Sequence, residues 1–147
     1  MNEYNETDWM TVNEPPAEYK TKEDYPFQDE TYEIIGACME VHKDLGRGFL
    51  EAVYKDALEI VFDDLKIDYE REKKYEILFR GRKLKHFYVA DFVVLKDIVL
   101  EIKAQNGLVE DHYDQIINYL AVSKCKVGLI VNFGEKSLKF KRVVLSK

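Results

Sequence analysis

The sequence predicts an α/β fold, with helices at two points along a sheet. Two stretches with helical periodicity come first, and a third interrupts a series of short, strand-like segments. Strands combined with helices in this order are typical of a sheet whose faces are covered by helices. With 147 residues, the chain is long enough for one domain with a substantial hydrophobic core.

Two N-terminal helices are predicted from apolar periodicity and from the glycine-rich break between them. The first begins at Asp29 or Thr31 and ends at Gly46-Arg47-Gly48, because glycine readily adopts the left-handed conformation at a helix end. The second runs over about 49–65, and the short connection predicts an antiparallel pair. Its predicted buried face consists of Phe49, Val53, Ala57, Ile60 and Val61.

The remaining elements are predicted from alternation and from turn residues. Gly81, within "LFRGRKL", indicates a tight hairpin turn, and Gly134 indicates a second turn. The predicted strands cover about 68–79, 83–95, 98–104, 126–133 and 137–145, and the predicted third helix covers 112–123.

Charge is distributed unevenly along the chain, whose formal net charge is −6. Residues 1–30 contain nine acidic and two basic side chains, whereas residues 31–147 contain 19 acidic and 20 basic ones. Residues 1–27 also lack apolar periodicity and contain all three prolines. We therefore predict an acidic, mostly disordered leader over 1–27 and a folded domain over 28–147.

The near-neutral body contains two groups of basic side chains. They are Arg71, Lys73, Lys74, Arg80, Arg82, Lys83 and Lys85, and then Lys136, Lys139, Lys141 and Arg142. Groups of this kind bind phosphate backbones, or they form an ordinary solvated face. The negative net charge therefore does not exclude nucleic acid as a partner.

Other features of the sequence predict the compartment. No run of about 18 apolar residues occurs, so we expect no membrane span, and the polar N-terminus does not resemble a signal peptide. Cys38 and Cys125 fit neither a disulfide framework nor a metal cluster. We expect both to be buried, reduced thiols in a cytoplasmic protein.

The segment "YVADFVVLKDIVLEIKAQ", residues 88–105, is built like a core hairpin and yet contains Asp91, Glu101 and Lys103. Burying a lone charge is costly unless it is paired or bound to a metal. Glu101 and Lys103 are two apart on a strand and share a face. A two-residue turn at Lys96-Asp97 would direct Asp91 away from them. We therefore predict a three-residue loop or a bulge, which places Asp91 opposite Lys103 and beside Glu101.

With that geometry, the two carboxylates suit a hard divalent cation such as Mg²⁺ or Mn²⁺. Such a cation keeps several of its waters and can meet a substrate phosphate. A lysine two residues from a ligand can orient a water or stabilise charge on the phosphate. The alternative is structural: Asp91 and Lys103 form an ion pair near a strand end.

The same residues carry a resemblance to a known family. Asp91, followed ten residues later by Glu101-Ile102-Lys103, resembles the core of the PD-(D/E)xK nuclease superfamily. "EVHKDLGRGFLEAVY" is similar to the signature of the GxxExxY protein family, through Gly48, Glu51 and Tyr54. "HYDQIINYL" and "KVGLIVNFG" also resemble blocks of that family, so the match covers roughly 28–145. Arg47 stands where the family commonly has proline.

The resemblance implies a fold and a set of site residues. The implied fold is restriction-endonuclease-like, a mixed β-sheet flanked by helices with a two-helix N-terminal layer. The implied catalytic residues are Asp91, Glu101, Lys103, Glu51 and Gln115, and the implied metal ligands are Asp91, Glu101, Glu51 and the carbonyl oxygen of Ile102. The supporting residues would be Tyr54, Tyr119 and His42.

Structural roles remain open for several of these residues. Glu51 could serve the dipole of its helix, since it lies in the first turn. Gln115 and Tyr119 are four apart and share a helix face, as in the QxxxY element of related nucleases, but they could equally be surface and core residues. Tyr54 could be a packed tyrosine, and His42 a core histidine.

The expected function is a metal-dependent nuclease domain that hydrolyses phosphodiesters, in DNA rather than RNA. The alternative is a non-catalytic module that keeps the fold and binds nucleic acid or protein. A third hypothesis, that the acidic leader mimics nucleic acid, rests only on residues 1–30. No base-reading motif is apparent, so we expect a homodimer or a partner protein to supply specificity.

Overall fold

The computed structural model of the chain describes residues 10–11, 26–107 and 111–145. Most of the predicted leader, residues 1–27, lies outside the described residues. Within it, Met10–Thr11 form a short strand, β1, which the sequence did not predict.

The described residues form a six-stranded mixed sheet with helices on both faces. The helices are α1 (Gln28–Leu45), α2 (Glu51–Asp64) and α3 (Asp111–Ser123). The other strands are β2 (Tyr69–Phe79), β3 (Arg82–Val94), β4 (Ile98–Lys103), β5 (Val127–Asn132) and β6 (Lys139–Val144). Their order is β1-β6-β5-β4-β3-β2, and β4 pairs with β5 in parallel while the other pairs are antiparallel. The predicted mixed sheet flanked by helices, with two helices first, is confirmed.

Each face of the sheet has its own hydrophobic core. On one face, Phe92, Leu100 and Leu129 pack against α1 and α2. On the other face, Val99 and Ile130 pack against α3. Since β4 and β5 alternate between the two cores, residues at the carboxyl end of β4 lie between the helical layers. That end carries Glu101 and Lys103.

Helix α2 is rotated relative to the predicted face. Its buried residues are Tyr54, Lys55, Leu58 and Phe62. Phe49 and Ile60, predicted to be buried, are 47% and 64% exposed. The rotation turns Lys55 toward the sheet, where a lysine requires an ionic partner.

Two local predictions hold at the turns. Arg80 and Gly81 form the two-residue turn between β2 and β3, with positive φ at both residues. Gly46 ends α1, and its N–H donates to the carbonyl of His42. Both cysteines are buried and free of disulfides, and no described helix is long and apolar enough to cross a membrane.

One member of the second predicted group of basic side chains, Arg142, does not lie on the surface. Its side chain is buried, and its guanidinium donates a hydrogen bond to the carbonyl of Pro26. It therefore contributes to the packing of β6 and is not available to a solvated phosphate.

Candidate active site

The loop between β3 and β4 sets the register of the charged hairpin. Val94 pairs with Ile98, which leaves the three residues 95–97 in the loop, as predicted. Leu95 and Lys96 both have positive φ there. One residue beyond the Phe92–Leu100 pair, this register places Asp91 across from Glu101, and not across from Lys103. The predicted three-residue loop is confirmed. The predicted partner of Asp91 is wrong by two residues, since Asp91 lies across from Glu101.

A second irregularity lies at Asp91 itself. The pairing of β2 with β3 skips Glu72 and Asp91 and then resumes in the same register. Glu72 has φ 56, and Ala90 and Phe92 belong to cores on opposite faces of the sheet. The two strands therefore change faces at this point, which frees the Asp91 side chain from the regular alternation.

Both oxygens of the Asp91 carboxylate have partners. Oδ2 accepts a hydrogen bond from the backbone N–H of Ile102 at 2.8 Å, and Oδ1 lies 3.0 Å from Nζ of Lys55. These contacts connect β3 to β4 and to α2 at the same carboxylate. Asp91 is thus fixed where the sheet and the two-helix layer meet.

Glu101 is 7% exposed, and its surroundings disfavour its charge. Burial, followed by the nearby charge of Asp91, raises the pKa of Glu101 to about 8. The hydroxyl of Tyr88 donates a hydrogen bond to Oε1, which acts in the opposite direction. A carboxyl group that is buried beside a second carboxylate has the electrostatic signature of a functional site.

Lys55 is the main participant that the sequence did not predict. Its Nζ bridges Asp91 and Glu72, at 3.0 and 3.2 Å. Burial alone would lower the pKa of Lys55, but the ion pairs raise the pKa above its ordinary value. The site therefore contains a permanently charged ammonium from α2 in addition to Lys103.

Lys103 is the last residue of β4 and is partly buried. Its charge acts on two neighbours, since it favours ionised Glu101 and, after burial, contributes to lowering the pKa of His112. The ion pair of Asp91 is with Lys55 and not with Lys103, the partner that the structural alternative gave it.

Helix α3 contributes an aromatic wall to the site. Tyr119 stacks on Tyr88, with ring centroids 3.7 Å apart, and therefore lies directly behind the ring that binds Glu101. Burial, together with the charges of Glu101 and Asp91, raises the pKa of Tyr119. Gln115 lies one turn earlier and is exposed.

A cavity of about 470 Å³ opens beside this site, at the start of α2. Its walls include Glu51, Lys55 and Ala104. Glu51 is exposed and lies one helical turn before Lys55. The cavity therefore connects the predicted residue Glu51 with the ammonium that holds Asp91.

Asn132, at the end of β5, braces the loop that follows Lys103. Oδ1 accepts from the N–H groups of Gln105 and Gly134, and Nδ2 donates to the carbonyl of Gln105 and to Glu135. The side chain is fully buried, and a Cβ on Gly134 would lie 2.2 Å from the Gln105 nitrogen. The two loops can therefore touch only with glycine at 134.

Tyr54 and His42 lie in the packing around that brace. The Tyr54 hydroxyl donates to the carbonyl of Gly46 at 2.6 Å, and its ring stacks on Phe133. His42 Nε2 lies 3.0 Å from the carbonyl oxygen of Glu135. Neither side chain has a contact with Asp91 or Glu101 among the described hydrogen bonds.

The donor set of the site fits a hard cation that retains most of its waters. Among the described residues, no group of three or more His, Cys, Asp or Glu side chains is arranged to hold a metal. Asp91 and Glu101 supply two carboxylates, and a divalent cation would offset the burial and the Asp91 charge that together raise the pKa of Glu101. Mg²⁺ is commonly bound by one or two carboxylates in this way.

The comparisons with known proteins agree with this geometry. The sequence profile of the PD-(D/E)XK nuclease superfamily matches residues 28–143. The chain belongs to the PD-(D/E)XK nuclease superfamily. No curated protein matches the sequence.

A solved structure shows the same fold. The crystal structure of SSO0001 superposes with a TM-score of 0.53 at 22% sequence identity, over 82% of this chain. The chain corresponds to 60% of that protein's length. At this identity the likeness concerns the fold alone.

Proposed function

We propose that the domain, residues 28–147, is a metal-dependent nuclease that hydrolyses phosphodiester bonds, in DNA rather than RNA. The observation that carries the proposal is the buried Glu101 beside the partly buried Asp91, an arrangement in which burial and the neighbouring charge raise the pKa of Glu101 to about 8. Burial of Glu101 beside a second carboxylate costs stability, and a divalent cation would compensate that cost. Superfamily membership supports the same chemistry.

Each charged group would have a separate task. Asp91, Glu101 and the carbonyl oxygen of Ile102 would hold Mg²⁺ or Mn²⁺, which when bound neutralises charge that develops on the phosphoryl oxygens. Tyr88 would orient Glu101 by donating to it. Lys55 would offset the charge of Asp91 until a cation binds, and Lys103 would assist the attacking water or the departing oxygen.

Residues farther out would position the substrate. Glu51 lines the cavity together with Lys55, one helical turn away, and would add a further carboxylate to the metal site. Gln115 is exposed on α3 and would contact the nucleic acid. Tyr119 would act indirectly, through the ring of Tyr88.

Within the superfamily, we place the chain in the GxxExxY family. Gly48, Glu51 and Tyr54 lie around the start of α2, where Tyr54 anchors the preceding loop through the carbonyl of Gly46. A cytoplasmic location and a homodimer or partner protein that supplies specificity belong to the same proposal.

Incubation of labelled DNA and RNA with Mg²⁺ or Mn²⁺ tests the function. We expect Glu101→Gln to reduce cleavage at least about 10²-fold, because it removes a ligand and its charge. Glu40→Gln, at an exposed position of α1, is the matched control and should cleave like the wild type. Equal cleavage by all three proteins, or none with any metal, would refute catalysis.

One observation favours the alternative, a non-catalytic binding module. Both Asp91 oxygens are already engaged, by Lys55 and by the Ile102 N–H, so the site is neutralised in part without a metal. A module of this kind would bind nucleic acid in a salt-sensitive manner, with the same affinity in EDTA and in Mn²⁺.

A further inference from the structure

Residues 73–89 form a projecting hairpin, which we call the hairpin arm. Strands β2 and β3 have 11 and 13 residues, whereas β4, β5 and β6 have six each. β3 pairs with β4 only over Phe92 to Val94. The arm therefore extends beyond the central strands of the sheet, and only elements outside the sheet can cover it.

One face of the arm is covered and the other is open. Tyr75, Ile77 and Tyr88 pack into the core that α3 shares with the sheet. Cross-strand pairs such as Lys74–Val89 and Glu76–Phe87 share the opposite face. We give the name open face to four exposed residues on it, Lys74, Glu76, Phe87 and Val89, together with Leu78, Lys83 and Lys85, which are exposed beyond the register shift between Glu76 and Leu78.

The chemistry of the arm matches a polyanion that carries flat, apolar groups. Residues 73–89 contain six basic side chains and one acidic one, in a chain of net charge −6. Phe87 is 47% exposed, and Nζ of Lys74 lies 4.0 Å from the centroid of its ring. An exposed ring with an ammonium over one of its faces combines stacking for a base with an ionic contact for its phosphate.

The open face leads to the candidate active site. Val89 is two residues from Asp91 on the same strand, a distance of about 7 Å. The neighbours Tyr88 and Ala90 point toward the α3 core, so Val89 and Phe87 point toward the side of α2. That is the side from which Lys55 reaches Asp91.

We propose that the open face binds a single-stranded stretch of nucleic acid and guides it to Asp91 and Glu101. Stacking on Phe87 requires an unpaired base, because both faces of a base within a duplex are already stacked. The lysines of the open face would follow the phosphates. This inference rests on the proposed function for its substrate and adds a strand preference and a binding surface.

Fluorescence anisotropy with a labelled 20-nucleotide strand, and with the duplex of the same sequence, tests the proposal. The titrations use EDTA, so that binding is measured without cleavage. We expect Phe87→Ala to weaken single-strand binding about tenfold and to change duplex binding less than about twofold. Leu84→Ala is the matched control, since Leu84 is an apolar residue of the same strand, 44% exposed and three residues from Phe87.

The salt dependence gives a second readout from the same titrations. The double variant Lys83→Gln/Lys85→Gln removes two charges from the open face, so the slope of log affinity against log salt should decrease by about 1.4. Lys126 is exposed and directly precedes β5, outside the open face, so Lys126→Gln should leave the slope unchanged. An unchanged slope in the double variant would contradict phosphate contacts on the arm.

Three results would overturn the inference. In the anisotropy titrations, these are equal single-strand binding by Phe87→Ala and wild type, or tighter binding of the duplex than of the single strand by the wild type. In sedimentation velocity, it is an effect of Phe87→Ala on self-association alone. Cleavage assays separate this failure from that of the proposed function. Metal-dependent cleavage with normal binding by Phe87→Ala would refute only the arm. Specific loss of single-strand binding, without cleavage by the wild type, would refute only the nuclease.

Discussion

Asn132 and Glu101 are buried polar side chains on the neighbouring strands β5 and β4, but their surroundings differ in kind. Asn132 is uncharged, and its side-chain oxygen and nitrogen each take part in two hydrogen bonds, with groups of Gln105, Gly134 and Glu135. Glu101 is held beside Asp91, and burial together with that neighbour raises its pKa to about 8. A buried polar side chain whose hydrogen bonds are satisfied is typical of a structural residue. A carboxyl group whose burial raises its pKa is typical of a binding or catalytic site. The first residue therefore organises the loops around the site, and the second is the residue that we propose binds the cation.

The largest effect on stability is expected at Asn132. Asn132→Ala removes four hydrogen bonds and leaves partly buried backbone groups of Gln105 and Gly134 without this partner. We expect the free energy of unfolding to fall by about 3 kcal/mol. Urea denaturation followed by circular dichroism measures the change. Asn118→Ala, at an exposed position of α3, is the control, and an equal effect of the two variants would contradict the role of Asn132.

At Glu101 the expected effect has the opposite sign and depends on pH. In the metal-free protein, the raised pKa means that the folded state keeps a proton that the unfolded state loses between about pH 4.5 and 8. Stability from this group is therefore present below about pH 4.5 and is lost as pH rises toward 8. Glu101→Gln should stabilise the protein on the order of 2 kcal/mol at pH 8.5 and little at pH 4.5.

Thermal unfolding in EDTA at the two pH values checks this prediction. Glu40→Gln, whose parent side chain is exposed, is the matched control and should show no such pH-dependent difference. A loss of stability in Glu101→Gln at pH 8.5 would show that Glu101, like Asn132, is a structural residue.

The smallest of these effects is expected at Lys55. This residue is paired, as Asn132 is, and it also lies beside the carboxylates of the proposed metal site. Lys55→Met keeps the length of the side chain but removes the ion pairs with Asp91 and Glu72. Because these partners are partly exposed, we expect a loss of only about 1 kcal/mol in stability. Mn²⁺ should bind more tightly, by about tenfold, since a competing positive charge has been removed. Weaker Mn²⁺ binding would show that Lys55 organises the carboxylates and does not compete with the cation.

The order and type of the elements could be predicted because they depend on local patterns. Gly46 and Gly81 mark a helix end and a hairpin turn, and both glycines have positive φ in the structure. Leu95 and Lys96 have positive φ, but neither is glycine, so no turn residue indicates the loop over 95–97. For the same reason, the change of faces at Glu72 leaves no trace in the sequence. The loop over 95–97 was predicted only because Asp91 has to lie beside Glu101 in the expected metal site.

The site could be predicted only in part. The spacing of Asp91, Glu101 and Lys103 is visible in one strand-turn-strand segment. Lys55 was missed because a search for apolar periodicity assigns a lysine to the solvent face, and the predicted face of α2 was rotated accordingly. Asn132 was missed because its partner Gln105 becomes a neighbour only when β4 and β5 pair in parallel.

Calorimetric titration with Mn²⁺ tests the central claim, that Asp91 and Glu101 jointly hold a divalent cation. The titration compares the wild type with Asp91→Asn, Glu101→Gln and the control Glu40→Gln. We predict binding to the wild type and to the control, and loss of binding in both site variants. Binding that persists in Asp91→Asn and Glu101→Gln, or no binding to the wild type, would contradict the claim.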